Sequence, residues 1–163
     1  MSRYEPLVLV LAQALRGAGL RLATAESCTG GLIAAACTAV AGSSDWFERG
    51  FVTYSNDAKT EAIGVDAALI AARGAVSEEV ARAMAQGALA HSHADLAVAV
   101  TGIAGPGGAT EGKPVGTVWL ALARRGGAVQ AERLQLHGDR AAIRAQTVEH
   151  ALQRLVVLAA TAR

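Results

Sequence analysis

The sequence predicts an α/β protein, a three-layer αβα sandwich around a mixed β-sheet. Three observations carry that prediction. Segments with helical apolar spacing alternate with short β-rich runs along the chain. The run "DLAVAVTG" is apolar on both alternating faces, as a strand covered from two sides must be. "RRGG" stands between "VGTVWLALA" and "AVQAERLQL", which is a hairpin signal and adds an antiparallel pair.

Each element has its own reason. Leu7, Val8, Leu11, Ala12 and Leu15 recur at helical spacing, and Gly17 or Gly19 stops that helix. The segment reads as an amphipathic first helix and not as a signal peptide, because Gln13 and Arg16 break its apolar run. "RLATAES" is a short strand, and "GGLIAAACTAV" a helix ended by Gly42. Arg49 to Ser55 is β-rich, with Phe51, Val52, Thr53 and Tyr54. Asn56 or Asp57 is expected to cap a short helix that ends at Gly64, and Asp66 to Arg73 forms another. Ser77 caps a longer helix, with Glu78 and Glu79 at its positive dipole end. After "DLAVAVTG" comes the glycine-rich loop "GIAGPGGATEGKP", then the hairpin, then a closing helix from about Asp139 to Ala160.

The totals suit one domain over residues 1–163, with 52% hydrophobic residues to build a core. Net charge is +1 with the signs interspersed, and 4% of residues are aromatic. A nucleic-acid or membrane-surface protein needs a basic face, and a base-stacking platform needs aromatics, so neither partner is expected. No run is long and uncharged enough to span a membrane. Two cysteines, Cys28 and Cys37, are no disulfide framework, and a reducing cytoplasm fits them best.

Three stretches are rich in reactive or flexible groups. In "ESCTGG", between a strand and a helix, Ser27 is either a nucleophile facing an oxyanion hole of backbone amides, or, like Thr29, a helix cap. Gly30 and Gly31 allow a tight turn there. Ala25 and Thr29 stand where a nucleophile elbow has glycines, so this is not the G-x-S-x-G pattern. Cys28 is a second candidate nucleophile or a small buried filler. In "TYSNDAKT", Tyr54 and Lys59 lie near each other, and Lys59 is either a base of lowered pKa or a solvated helix lysine. In Thr101 to Pro114, Gly102, Gly105 and Gly107 leave amides free for an anion-binding nest, or make an ordinary flexible loop. Arg140 and Arg144 share a helix face and are either phosphate ligands or surface arginines. His91, His93, His137 and His150 form no metal-ligand spacing, so neither metal nor cofactor is expected, although spacing alone leaves a Ser-His-Asp triad open.

Together "TAESCTGG", "AGSSDWFERGFVTYSNDAK", "GAVSEEVA", "TGIAGPGG" and "KPVGTVW" resemble the CinA C-terminal domain family, over about Thr24 to Trp119 with a fainter tail in "HGDRAAIRAQTVEHAL". The enzymatic members of that family are nicotinamide-nucleotide amidases, which hydrolyse nicotinamide mononucleotide to nicotinate mononucleotide and ammonia in pyridine nucleotide recycling. The resemblance implies the stand-alone form, a single amidase domain. It implies Ser27 as nucleophile, Tyr54 and Lys59 as proton-handling partners and Thr101 as an orienting or substrate-holding residue. The small residues Thr29, Gly30 and Gly31 would admit the amide, with the helix start on the oxyanion. Gly102, Gly105, Gly107 and Arg140 or Arg144 would take the phosphate. A homodimer or higher homo-oligomer is the default assembly. A non-catalytic nucleotide-binding domain and a serine amidase for another small amide are the alternatives.

Overall fold

The computed structural model describes residues 1–162. A 3-10 turn at Ser2–Tyr4 leads into α1 (Glu5–Ala18), then β1 (Leu22–Glu26) and α2 (Leu32–Thr38). A second 3-10 turn at Ser43–Asp45 precedes β2 (Phe47–Val52), α3 (Asn56–Ile63), α4 (Ala67–Arg73) and α5 (Glu78–Ala90). The chain ends with β3 (Leu96–Gly102), β4 (Thr117–Arg124), β5 (Val129–Gln135) and α6 (Arg140–Thr161).

The strands form one five-stranded sheet in the order β2-β1-β3-β4-β5. β2, β1 and β3 are parallel, while β4 and β5 add antiparallel strands to the far side. The expected α/β sandwich around a mixed sheet is therefore what forms. Alternation along β3 divides the core. Leu96, Val98 and Val100 point to α1, α2 and α6, and Ala97 and Ala99 point to α3, α4 and α5. β1 and β4 repeat the division, with Ala23, Ala25, Ala121 and Ala123 on the second face. That face is paved with small side chains, so α5 can lie close to the sheet.

α5 also lies close to α3. A Cβ at Gly87 would sit 2.0 Å from the carbonyl oxygen of Ile63. Alanine normally stabilises a helix interior by up to about 1 kcal/mol over glycine. Here the sign should reverse. Gly87→Ala should lower the melting temperature, at a cost of about 1–3 kcal/mol for overpacking. An unchanged or raised melting temperature would show that α3 can move away freely.

Three boundaries differ from the expectation. α2 ends at Thr38, not near Gly42. Thr38 Oγ1 donates back to the carbonyls of Ala34 and Ala35, and the chain then turns at Gly42 with φ +79°. β2 stops at Val52, so Thr53 to Ser55 already belong to the turn. Ser55, in place of Asn56 or Asp57, caps α3: its backbone is extended and its Oγ accepts from Ala58 N at 3.0 Å.

Topology places the site. The crossover from β1 to β2 carries α2 on one face, and the return from β2 to β3 carries α3 to α5 on the other. The two connections leave the carboxyl ends of β1 and β2 toward opposite faces, and open α/β sheets have their crevice at such a point.

Candidate functional site

Ser27 follows the last residue of β1, Thr53 and Tyr54 follow β2, and Thr101 and Gly102 close β3. The parallel ladder pairs Glu26 with Val52 and with Val100, so the three strand ends are level. Hydrogen bonds extend the ladder by one residue on each side, from Ser27 N to Val100 O and from Thr53 N to Glu26 O. These ends and the loop after β3 enclose a pocket of about 310 Å³. That is a small-molecule volume, at the lower end of the ~300–1,000 Å³ of ligand sites.

Lys59 stands one turn into α3 and reaches back beneath the pocket. It is 1% exposed. Its Nζ lies 3.1 Å from Ser27 Oγ, 3.0 Å from Thr53 O and 3.1 Å from Tyr54 O, with Ser55 O at 3.5 Å. Burial pushes its pKa below the ordinary lysine value, and the neighbouring Cys28 acts in the opposite sense. The amine donates to Ser27 Oγ and to these carbonyls, while the Ser27 hydroxyl donates to Tyr54 O.

Cys28 also lines the pocket, yet burial pushes its thiol up to about 12. It stays protonated at neutral pH and is a poor nucleophile. Thr101 is buried, lines the pocket and donates to Ala75 O at 2.9 Å. It thereby ties the connection before α5, whose Ala75 and Val76 form a pocket wall, to the end of β3.

Tyr54 presents two different faces. Its backbone carbonyl meets both Lys59 Nζ and Ser27 Oγ, the latter at 3.4 Å. Its side chain is 59% exposed, and its phenol oxygen accepts from Arg140 Nη2 at 3.1 Å. The expected side-chain partnership of Tyr54 with Ser27 and Lys59 is therefore not the one the structure makes. Arg140 also donates to Gly105 O at 2.9 Å and lines the pocket mouth.

Arg144, one turn further along α6, does something else. It donates to Cys28 O at 3.1 Å and to Thr29 O at 3.2 Å, and it does not line the pocket. Its expected place on a phosphate is thus taken up by the loop beneath it. Thr29, Gly30 and Gly31 are likewise not pocket-lining. Gly30 and Gly31 carry the turn at φ +59° and +108°, and Thr29 Oγ1 donates to Glu26.

The start of α2 is not free for an oxyanion either. The Glu26 carboxylate accepts from Ile33 N at 2.8 Å and Ala34 N at 3.0 Å. Neither Ser27 nor Thr29 caps α2; Glu26 does it from the preceding strand. In the sequence Glu26 signals itself only as an acid at a strand end just before a glycine turn.

Gly102 at the end of β3 and Gly105, Gly107 and Gly108 in the loop after it all line the pocket. Gly105 has φ +79°, and a Cβ there would meet Val115 Cγ1 at 2.6 Å, whereas Gly107 has open space around it. Asn56, Ile103 and Ala104 complete the lining. No histidine is among the lining residues, which removes a Ser-His-Asp triad from this site. Among the described residues no group of three or more His, Cys, Asp or Glu is placed to hold a metal, and no helix is long and apolar enough to cross a membrane.

The family profile of the CinA C-terminal domain matches residues 4–158. The nicotinamide-nucleotide amidohydrolase PncC of Pseudomonas putida is 55% identical over 158 residues, covering 97% of this chain and 98% of that protein. A CinA-like protein of Citrifermentans bemidjiense is 59% identical over 145 residues, covering 89% of this chain but 35% of that longer protein. A second long relative, from Symbiobacterium thermophilum, is spanned over 37% of its length. The crystal structure of the competence/damage inducible protein CihA from Agrobacterium tumefaciens superposes with a TM-score of 0.92 at 49% identity, over 94% of each chain.

Proposed function

The chain belongs to the CinA C-terminal domain family, and from that premise we propose that it is a nicotinamide-nucleotide amidase acting through a Ser27–Lys59 pair. The observation that carries the reading is the 3.1 Å approach of a buried lysine, its pKa lowered by burial, to a serine hydroxyl on the wall of a small-molecule pocket. The names of full-length relatives such as PncC of Pseudomonas putida supply the substrate.

In this mechanism neutral Lys59 takes the Ser27 hydroxyl proton as Oγ bonds to the carboxamide carbon. The carbonyl electron pair moves to oxygen. Since Glu26 occupies the amides of α2, the oxyanion falls to the backbone amide of Cys28 on the pocket wall. Collapse breaks the C–N bond, and Lys59 returns the proton to the departing ammonia. Water then attacks the Ser27 ester, gives its proton to Lys59 and releases nicotinate mononucleotide as Ser27 recovers its hydrogen. The Tyr54 carbonyl holds Lys59, and its phenol holds Arg140. No step calls for a metal or a cofactor.

The phosphate lies across the ribose from the reacting amide, so its binding energy can position the carbonyl. Arg140 and the amides of the Gly105–Gly108 turn are the proposed phosphate contacts. Gly105 is a poor test residue because its substitution strains the turn and strikes Val115. Arg140→Ala is the better one. A charge-assisted contact is worth roughly 1.5–3 kcal/mol, so kcat/KM for the mononucleotide should fall by about one to two decades, with a much smaller fall for the riboside. Equal wild-type efficiencies for riboside and mononucleotide would favour a general small-amide amidase. Ammonia release from nicotinamide mononucleotide by the purified protein tests the activity itself, and tight binding without turnover would favour the non-catalytic binder.

A further inference from the structure

The Ser27 loop is gripped from both sides. We infer that Glu26 and Arg144 are positioning residues for the nucleophile: the first anchors the loop to α2 from below, and the second anchors it to α6 from the side.

The observations are these. Glu26 is the last residue of β1 and is buried against the α2 side of the sheet. Its carboxylate accepts three hydrogen bonds, from Thr29 Oγ1 at 2.6 Å, Ile33 N at 2.8 Å and Ala34 N at 3.0 Å. Every partner is a donor, which suits a group that only accepts. A buried carboxylate is costly unless it is fully hydrogen-bonded, and these three donors on the Ser27 loop and α2 meet that need. Arg144 takes the Cys28 and Thr29 carbonyls. That fixes the Cys28–Thr29 and Thr29–Gly30 peptide planes, which begin one peptide beyond Ser27. Between the grips the chain runs through two left-handed glycines, where it would otherwise be mobile. The Ser27 backbone is bonded to Val100 and Gly30, and its Oγ lies 3.4 Å from Tyr54 O and 3.1 Å from Lys59 Nζ. Its attack direction is therefore set by the loop that carries it.

The inference rests on Ser27 being the nucleophile proposed above. Its test uses two readouts on the intact protein. One is kcat and KM for ammonia release from nicotinamide mononucleotide. The other is the rate at which a fluorophosphonate probe labels Ser27, which needs the nucleophile but no nucleotide. Glu26→Gln keeps the shape but sets an NH2 group against a donor. It should lower kcat and the labelling rate together by about 10- to 100-fold, the scale of a small misplacement of a reacting group, with KM nearly unchanged. Thr29→Val should lower both rates, and Thr29→Ser, which keeps the hydroxyl, should restore them. Unchanged labelling in a folded Glu26→Gln protein overturns the inference. Should Glu26→Gln fail to fold, equal labelling of the Thr29→Val and Thr29→Ser proteins overturns it instead. Wild-type protein that labels at Ser27 without releasing ammonia would sink the substrate assignment alone, and the labelling comparison would still decide the role of Glu26.

Discussion

Ser27→Ala is expected to abolish ammonia release while leaving the fold and its melting temperature near those of the wild type. The side chain is small, and its two contacts, to Lys59 Nζ and the Tyr54 carbonyl, are at 3.1 and 3.4 Å, so little packing is lost. The chemistry, by contrast, loses its only bond-forming atom. Removing a serine nucleophile costs at least about a thousandfold in kcat, with what remains coming from binding and oxyanion contacts. Substrate affinity should survive, because the pocket wall and Arg140 are untouched. A direct titration of nicotinamide mononucleotide into the variant checks this. The neighbouring thiol is the control. Burial pushes the Cys28 thiol up to about 12, so Cys28→Ala should keep most of the rate. Near-wild-type turnover by folded Ser27→Ala protein would remove Ser27 from the mechanism, and loss of turnover in Cys28→Ala would move the search to the sulfur.

Much of this fold is legible in the chain, for reasons that can be stated. α1 and α6 carry apolar residues at helical spacing, and each buries that stripe. β3 is apolar on both faces because helices cover both. Boundaries fare worse where a side chain bonds locally. Thr38 folds back on its own helix, and Ser55 takes a cap that either of the next two residues could have taken. The site is legible as residue types but not as an assembly. Ser27 and Lys59 are thirty-two positions apart. They meet because β1 and β2 run parallel in a register that levels their ends and because α3 turns back at Ser55. No local pattern encodes that.

Arg140 and Arg144 show the same limit. Their spacing puts them on one helix face, but a turn of helix is about 5.4 Å long. That separation puts one at the pocket mouth and the other under the Ser27 loop. Glu26 is the deepest omission. Two of its three partners are backbone amides seven and eight residues ahead, and any residue but proline supplies an amide. Its role is written in the close packing of β1 on α2, not in a motif.

Lys59→Arg is expected to be as damaging as the loss of a general base, about 10²–10⁴-fold in kcat. Arginine stays protonated at any working pH and has no lone pair for the Ser27 proton. Lys59→Met, which keeps the chain length and removes the nitrogen, should fail as well. In the wild type, kcat/KM should rise with pH through a single ionisation below the ordinary lysine value, because burial disfavours the charged amine. The same shift should appear in stability, and its sign can be fixed. Folded Lys59 holds its proton less tightly than unfolded Lys59. Between the lowered folded pKa and the unfolded value of about 10.4, the unfolded state binds more protons, so stability rises with pH across that window. Below the window both states are protonated, and the cost of burying the charge is fully present. Urea unfolding across the alkaline range should show this slope in the wild type and lose that contribution in Lys59→Met. An active Lys59→Arg protein would remove Lys59 as the base. A wild-type rate that stays flat from neutral to alkaline pH would do the same, and the proton would then have to be assigned to another group facing Ser27.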